Sequence, residues 1–287
     1  MPELPEVEII KQSLEKKVKY KTINNILVKN SNLRFKIQKN FIHHLKNKKI
    51  LNISRKSKYL VIKLEGNIFL IIHLGMSGTL HYLKKKKNIF YTNLSFYNSM
   101  ILPKKHNHIE IIFSEFKIVY NDPRRFGFFL IIKSDHELEN YFKKIGPEPF
   151  DQSFSYNYLK NKFHRKDKNI KNFLLDQNLV SGIGNIYANE ILFYSKINPL
   201  KKVKEISKNE ITKIIKYSKK VLNNAIKKGG SSIKNFKNIT GINGHFQDEF
   251  AVYDQKGKTC PTLNCNKKII KLNISNRSTY LCKSCQK

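Results

Sequence analysis

Tryptophan is missing from the 287-residue chain, and cysteine is missing from its first 259 residues. With all four cysteines in the last 28 positions, a disulfide framework spread through the fold is excluded. No stretch approaches the roughly 18 apolar residues of a membrane span. The acidic start lacks the basic and apolar segments of a secretory signal. Carboxylates are also scarce: 21 Asp and Glu stand against 55 Lys and Arg, for a net charge of +34. Such an imbalance implies a polyanionic partner, most often nucleic acid. The missing Trp accompanies an excess of Lys, Asn and Ile, as AT-rich coding produces. Part of the lysine excess is therefore compositional, and the run at 84–87 is solvated loop charge. A soluble, cytoplasmic, nucleoid-associated protein is expected.

The length allows two domains with real cores. Val7, Ile10, Leu14 and Val18 recur at helical spacing and predict a helix over 5–18. Segments 22–29, 48–54, 59–64, 67–74, 109–113, 116–120 and 126–132 are rich in Ile, Val, Phe and Tyr and separated by turn residues. They predict an antiparallel β-sandwich. Gly146-Pro147-Glu148-Pro149 marks a boundary. Beyond it the period is helical, over 169–176, 185–194 and 207–227, the last stopped by Gly229-Gly230.

The cysteines read Cys260-x4-Cys265 and Cys282-x2-Cys285, with sixteen residues between the pairs. Two such knuckles predict a closed tetrahedral zinc site on one β-hairpin, structural because four protein ligands leave no open position. Arg277, on that hairpin, has no acidic neighbour in sequence and suits a DNA phosphate. Met1-Pro2-Glu3 is the other chemical signal. Removal of Met1 would free the Pro2 ring nitrogen, a secondary amine whose ordinary pKa lies near 8. Attack by such an amine on an aldehyde-level carbon gives an iminium ion, the electron sink of Schiff-base catalysis. Alternatively Pro2 and Pro5 only open a helix.

Weaker signals lie between. Ser181-Gly182-Ile183-Gly184-Asn185 runs into a helix and can grip a phosphate or form an ordinary turn. Met76, in a Gly-flanked tip, can wedge between bases or pack in the core. Asp122-Pro123-Arg124-Arg125-Phe126-Gly127 is a turn in which Arg can read a base edge and Phe can stack. Alternatively Phe126 is buried in the following strand. Lys58 in isolation is a surface lysine. His106 and His108 lack a metal-ligand pattern and suit a phosphate contact.

Taken in order, these pieces resemble the formamidopyrimidine-DNA glycosylases over nearly the whole chain. The anchors are residues 2–8, Lys58-Tyr59-Leu60, His73-Leu74-Gly75-Met76-Ser77-Gly78, residues 122–127, 146–149 and 184–187, and the four cysteines. The resemblance implies an α+β protein. An N-terminal antiparallel β-sandwich with a leading helix (1–133) precedes a helix–two-turn–helix domain with a lesion-covering loop (134–247). A four-Cys zinc β-hairpin follows (248–287), and DNA lies in the cleft.

The implied activity is that of a bifunctional glycosylase and AP lyase, which removes oxidised purines from double-stranded damaged DNA as a monomer. Pro2 is then the nucleophile, Glu3 the acid/base on the sugar, Lys58 the proton donor of β-elimination, and Arg277 the group of δ-elimination. Met76, Arg124 and Phe126 fill the gap left by the flipped base, and His106, Lys166 and Asn185 hold phosphates. Zn2+ sits on Cys260, Cys265, Cys282 and Cys285. Two departures stand out: the four-residue first knuckle, where the family usually has two, and a longer segment over 82–102. Endonuclease VIII-type enzymes for oxidised pyrimidines are the nearest alternative, but typically carry Gly where Leu4 stands. A non-catalytic zinc-ribbon DNA-binding protein is another, and would be expected to have lost Pro2, Glu3 or Lys58.

Overall fold

A computed structural model describes residues 2–84, 104–164, 166–231 and 244–287. Most of the long 82–102 segment and the middle of the stretch expected to cover the lesion, 232–243, lie outside the described residues. The chain forms two compact units, Met1–Lys143 with Lys228–Gln247, and Lys144–Lys227 with Asp248–Lys287.

The first unit begins with helix α1 (Leu4–Val18), which has Pro5 in its first turn and Lys16 and Lys17 in its last. Its apolar stripe, Val7, Ile10, Leu14 and Val18, is 1–2% exposed. There follow β1 (Asn25–Val28), α2 (Phe41–Leu45), β2 (Ile50–Lys56), β3 (Tyr59–Leu64), β4 (Ile68–His73), β5 (Thr79–Lys84), β6 (Asn107–Ile112), β7 (Phe116–Asn121) and β8 (Phe128–Ile132). The strands build two antiparallel sheets of order β1-β6-β7-β5 and β2-β3-β4-β8. The α1 stripe joins residues of both sheets, among them Ile62, Ile72, Ile111 and Ile118, in one core.

Strand β4 shows how the two-residue period works. Leu70 and Ile72 enter the shared core, while Phe69 and Ile71 point the other way into a second cluster. That cluster is covered by Leu138, Tyr141 and Phe142 of α3 (Asp135–Phe142). Each fully buried aliphatic or aromatic side chain contributes about 1.5–3 kcal/mol. This packing carries the first unit past position 133 to Lys143.

The second unit holds α4 (Tyr156–Phe163), α5 (Ile170–Leu175), α6 (Asn185–Ser195), α7 (Lys208–Lys227) and the hairpin β9 (Ile270–Ile274) and β10 (Arg277–Leu281). Ser155 and Asn169 cap α4 and α5 by accepting backbone N–H groups. In α7, Ile211, Ile214, Val221 and Leu222 face inward. Glu190 of α6 is buried and accepts the N–H groups of Ala251, Val252 and Tyr253 at 2.8–3.0 Å. Those three bonds fix the chain where it enters the cysteine-bearing tail. Burial raises the pKa of Glu190 while these N–H groups oppose the shift.

Candidate active site and nucleic-acid interface

Pro2 and Glu3 are buried at the start of α1. Glu3 is the N-cap, and it forms a reciprocal capping box with Glu6. The Glu3 N–H donates to Glu6 Oε2 at 2.9 Å. Glu6 Oε1 accepts from both the N–H (2.8 Å) and the hydroxyl (3.0 Å) of Ser231. A distant segment is thereby pinned beside the chain start. Gly230, at φ +79°, leaves little room there, since a Cβ would lie 3.2 Å from the Glu6 carboxylate. Phe246 N–H donates to the Gly230 carbonyl, and His245 N–H to that of Lys228. Both ends of 232–243 therefore converge near Glu6.

Lys58 is buried, at 6% exposure, so it is not a surface lysine. It sits with Ser57 in the two-residue turn between β2 and β3, where Lys56 pairs with Tyr59. Ser57 is left-handed, at φ +55°. Arg55 braces this turn: its Nη1 donates to the Ser57 carbonyl at 2.8 Å, and its Nε to Glu8 of α1 at 2.9 Å. One helix thus presents Pro2 and Glu3 at its start and holds the Lys58 turn one helical turn further on.

Met76 and Phe126 are 43% and 40% exposed. Neither packs in a core, and Phe126 precedes β8 rather than lying in it. Arg124 is exposed too, its guanidinium 4.5 Å from the Phe126 ring centre. The two tips are bound together by Asp122, which opens the 122–127 turn motif but carried no expected role of its own. Asp122 is fully buried. Its carboxylate accepts from the Ser77 hydroxyl, Tyr120 hydroxyl (2.8 Å), Gly127 N–H (2.9 Å) and Arg124 N–H (3.2 Å). Glycines allow the close approach: a Cβ on Gly75 would meet the Phe126 carbonyl carbon at 2.4 Å. His106 lies next door, its carbonyl accepting from the Asp122 N–H at 3.0 Å. Burial first, then Lys105 and His108, lower the pKa of its ring.

In the second unit, Asn185 opens α6 and its Nδ2 donates to the Ser278 carbonyl at 3.0 Å. Lys171, a fully buried lysine, donates to the same carbonyl (3.0 Å) and to Thr279 Oγ1 (2.6 Å). Two helices thus grip the residues that follow Arg277. Arg277 itself is exposed, just past the Ser275-Asn276 turn, whose φ values of +47° and +58° close the hairpin. Lys166 is half-buried between α4 and α5.

The four cysteine sulfurs lie within 4.8 Å of one another, with Cys260–Cys285 at 3.8 Å and Cys265–Cys282 at 3.7 Å. Sulfurs at the corners of a tetrahedron with Zn–S bonds of about 2.3 Å stand about 3.8 Å apart. The set fits a metal ion of that kind. The enlarged first knuckle bulges outward, with Leu263 87% exposed and Thr262 held by Lys196 at 2.7 Å. The β9–β10 register, from Arg277↔Ile274 to Leu281↔Ile270, continues without a shift.

Comparison with known proteins agrees with this architecture. Residues 1–129 match the formamidopyrimidine-DNA glycosylase N-terminal domain, and residues 145–237 match the formamidopyrimidine-DNA glycosylase H2TH domain. The chain is 40% identical to the formamidopyrimidine-DNA glycosylase of Wolbachia sp. subsp. Drosophila simulans (strain wRi), over all of both chains. It is 38% identical to that of Rickettsia bellii (strain OSU 85-389), again over both full lengths. Wild-type Lactococcus lactis Fpg, solved with N7-benzyl-Fapy-dG DNA, superposes with a TM-score of 0.88 at 32% identity, covering 100% of both chains. The complex of the same enzyme with abasic-site DNA gives 0.87, covering 99% of each chain. A glycosylase N-terminal domain followed by an H2TH domain defines the class. The chain belongs to the formamidopyrimidine-DNA glycosylase family.

Proposed function

We propose that this chain, by its family a DNA glycosylase and AP lyase of base excision repair, excises oxidised purines such as 8-oxoguanine and formamidopyrimidines from duplex DNA. It acts as a monomer, in the cytoplasm at the nucleoid. Among the described residues no helix is long and apolar enough to cross a membrane. Residues 1–133 carry the glycosylase chemistry, 134–247 the DNA-gripping helices and lesion-covering loop, and 248–287 the zinc hairpin. The observation that carries the proposal is α1, which presents Pro2 and Glu3 and braces the Lys58 turn through Glu8 and Arg55.

With Met1 removed, the neutral Pro2 nitrogen attacks sugar C1′ of an extruded nucleotide; the bonding pair leaves with the base, which takes up the proton shed by the newly bonded nitrogen. Glu3 gives a proton to the ring oxygen as C1′–O4′ opens, which leaves an iminium ion. Loss of the C2′ proton feeds electrons toward that ion and expels the 3′ phosphate, to which Lys58 supplies a proton. A second elimination, assisted by Arg277, expels the 5′ phosphate. Met76, Arg124 and Phe126 occupy the vacated stack and offset part of the few kcal/mol that extrusion costs. His106, Lys166 and the second amide hydrogen of Asn185 hold phosphates. Borohydride trapping on 8-oxoguanine duplex tests this. The expected adduct maps to Pro2; an adduct on Lys58 would overturn the assignment.

Arg277 separates the two cuts. Its position directly after the hairpin turn, in an unshifted register, supports a reach toward the sugar that the enlarged knuckle does not disturb. Arg277→Ala is expected to keep base release and the first cut and to accumulate β-elimination product on denaturing gels. Wild-type protein should leave phosphate at both ends of a one-nucleotide gap. Full δ-product from the variant would reduce Arg277 to a phosphate contact.

Zinc on Cys260, Cys265, Cys282 and Cys285 supplies a fixed crosslink at the base of this hairpin. Elemental analysis of fresh, reduced protein should give one zinc per chain. Chelation should raise amide exchange in β9 and β10 and weaken duplex binding, while the sandwich stays protected. Protein with no zinc and an ordered hairpin would refute the proposal.

A further inference from the structure

Helix α6 ends on a left-handed lysine. Lys196 has φ +61°, and it closes the helix in a pattern that glycine usually serves. Its N–H donates to the Phe193 carbonyl and the Ile197 N–H to the Leu192 carbonyl, both at 3.0 Å. A Cβ is disfavoured in that conformation, so a lysine kept there points to a use for its side chain. That side chain is half-buried. Its Nζ donates to Thr262 Oγ1 at 2.7 Å and stands 4.8 Å from the Phe193 ring centre. Thr262 belongs to the enlarged first knuckle, Cys260-Pro261-Thr262-Leu263-Asn264-Cys265. The backbone outlier of α6 and the departure in the cysteine motif thus meet in one hydrogen bond, 66 residues apart in the chain.

The knuckle has little else to hold it. The Cys265 N–H donates to the Thr262 carbonyl at 3.0 Å and closes a turn in which Asn264 is left-handed, at φ +61°. Leu263 points to solvent. Among the described residues, the Lys196 bond is the one hydrogen bond that ties 261–264 to another element. The second knuckle is anchored to the same place by other means. Gln286 is buried; its Oε1 accepts the Cys282 N–H and its Nε2 donates to the Ile197 carbonyl, both at 3.0 Å. The Asn198 N–H donates to the Lys287 carbonyl at 3.0 Å, and the Lys287 N–H to the Lys196 carbonyl at 3.3 Å. Phe193, beneath the Lys196 ammonium, shares an apolar cluster with Cys260 and Cys282. The loop 196–198 therefore holds the second knuckle through its backbone and the first through the Lys196 side chain.

We propose that Lys196 is a positioning residue for the zinc ion, a clip that fastens the enlarged first knuckle to the end of α6 and so slows metal loss. The longer spacer must be ordered before Cys260 and Cys265 can reach one ion, and each added residue brings backbone freedom that opposes closure. The bond to Thr262 removes part of that freedom in advance. The charge of Lys196 adds a second effect. Four thiolates around Zn2+ leave a net negative charge, and an ammonium beside the knuckle offsets it. The inference rests on the proposed zinc site and adds Lys196 and Thr262, neither of which is a ligand.

The test follows zinc release from full-length, zinc-loaded protein to an excess of a chromophoric chelator, with no DNA present. Lys196→Gly is the central variant. Glycine suits the left-handed position, so the end of α6 should stay folded by amide exchange. Zinc should nonetheless leave about tenfold faster, as when a group that supports metal ligands is lost. Thr262→Val removes the acceptor, keeps the shape of the side chain and leaves the lysine charge in place, so its effect should be in the same direction and somewhat smaller. The double variant should release zinc no faster than Lys196→Gly alone, since the two side chains are halves of one contact. Lys196→Arg keeps the charge and the donors and should recover most of the wild-type rate. A wild-type release rate in Lys196→Gly overturns the clip. Single effects that multiply in the double variant overturn it as well, because they put Lys196 and Thr262 in separate roles. Wild-type protein that carries no zinc would instead sink the zinc site itself.

Discussion

Inserting one arginine between Met1 and Pro2 should abolish base release and strand cleavage together. A bulky second residue prevents removal of Met1, and Pro2 nitrogen then stays in an amide. Its lone pair is delocalised into the carbonyl, so it cannot attack C1′. Loss of a nucleophile costs on the order of 10⁴-fold or more in rate. Duplex affinity should stay close to that of the processed chain, because the side chains proposed to contact phosphate are untouched. Intact mass confirms retention of Met1, and a gel on 8-oxoguanine duplex reads both steps. Continued cleavage by the extended chain would move the nucleophile to another amine, with Lys58 the first to examine.

The regular elements were legible from helical spacing in α1 and from runs of β-branched and aromatic residues in the strands. Val7, Ile10, Leu14 and Val18 mark one face of α1, and β4 is a continuous run of Ile, Phe and Leu over Ile68–His73, as a strand buried on both faces requires. The misses have local causes. The strand expected from Phe126 begins at Phe128, because Arg125 is left-handed and the Gly127 N–H is spent on Asp122. Strand β5 follows the Gly-flanked Met76 tip and is polar in places, with buried His81 and Thr79 bonded to each other. The α3 start did carry a signal, Ser134-Asp135-His136-Glu137, and the Ser134 side chain caps the Glu137 N–H. Lys171 was not legible at all, since a fully buried lysine runs against composition and its partners lie more than a hundred residues away. The motif residues could be named from their order in sequence. What holds them could not, because Asp122, Glu6 and Glu190 act through contacts that close only in three dimensions.

Asp122→Ala is expected to be the most damaging single change outside the reacting groups. It would strand four donors in a dry site, the hydroxyls of Ser77 and Tyr120 and the N–H groups of Arg124 and Gly127. Each buried donor left unpaired costs about 1–3 kcal/mol, and together they do not simply add. A loss of roughly 3–5 kcal/mol is in keeping with breaking a buried charged network, which lowers the sandwich transition by roughly 10 °C. Tyr120 cannot take over as an anion, because burial, the largest cause of its raised pKa and the one that remains without Asp122, keeps its phenol protonated. Asp122→Asn keeps one acceptor oxygen but turns an NH2 toward a donor, so it should fall between. The functional signature is separable from the stability loss. Measured below the lowered transition, Asp122→Ala should slow excision from duplex at least tenfold more than it slows cleavage of a preformed abasic site. On the proposed wedge role, extrusion of an intact base depends on Met76 and Phe126 being held rigid, whereas an abasic sugar has no stacked base to displace. Equal slowing of both reactions would mean that Asp122 supports the sandwich as a whole rather than the wedge.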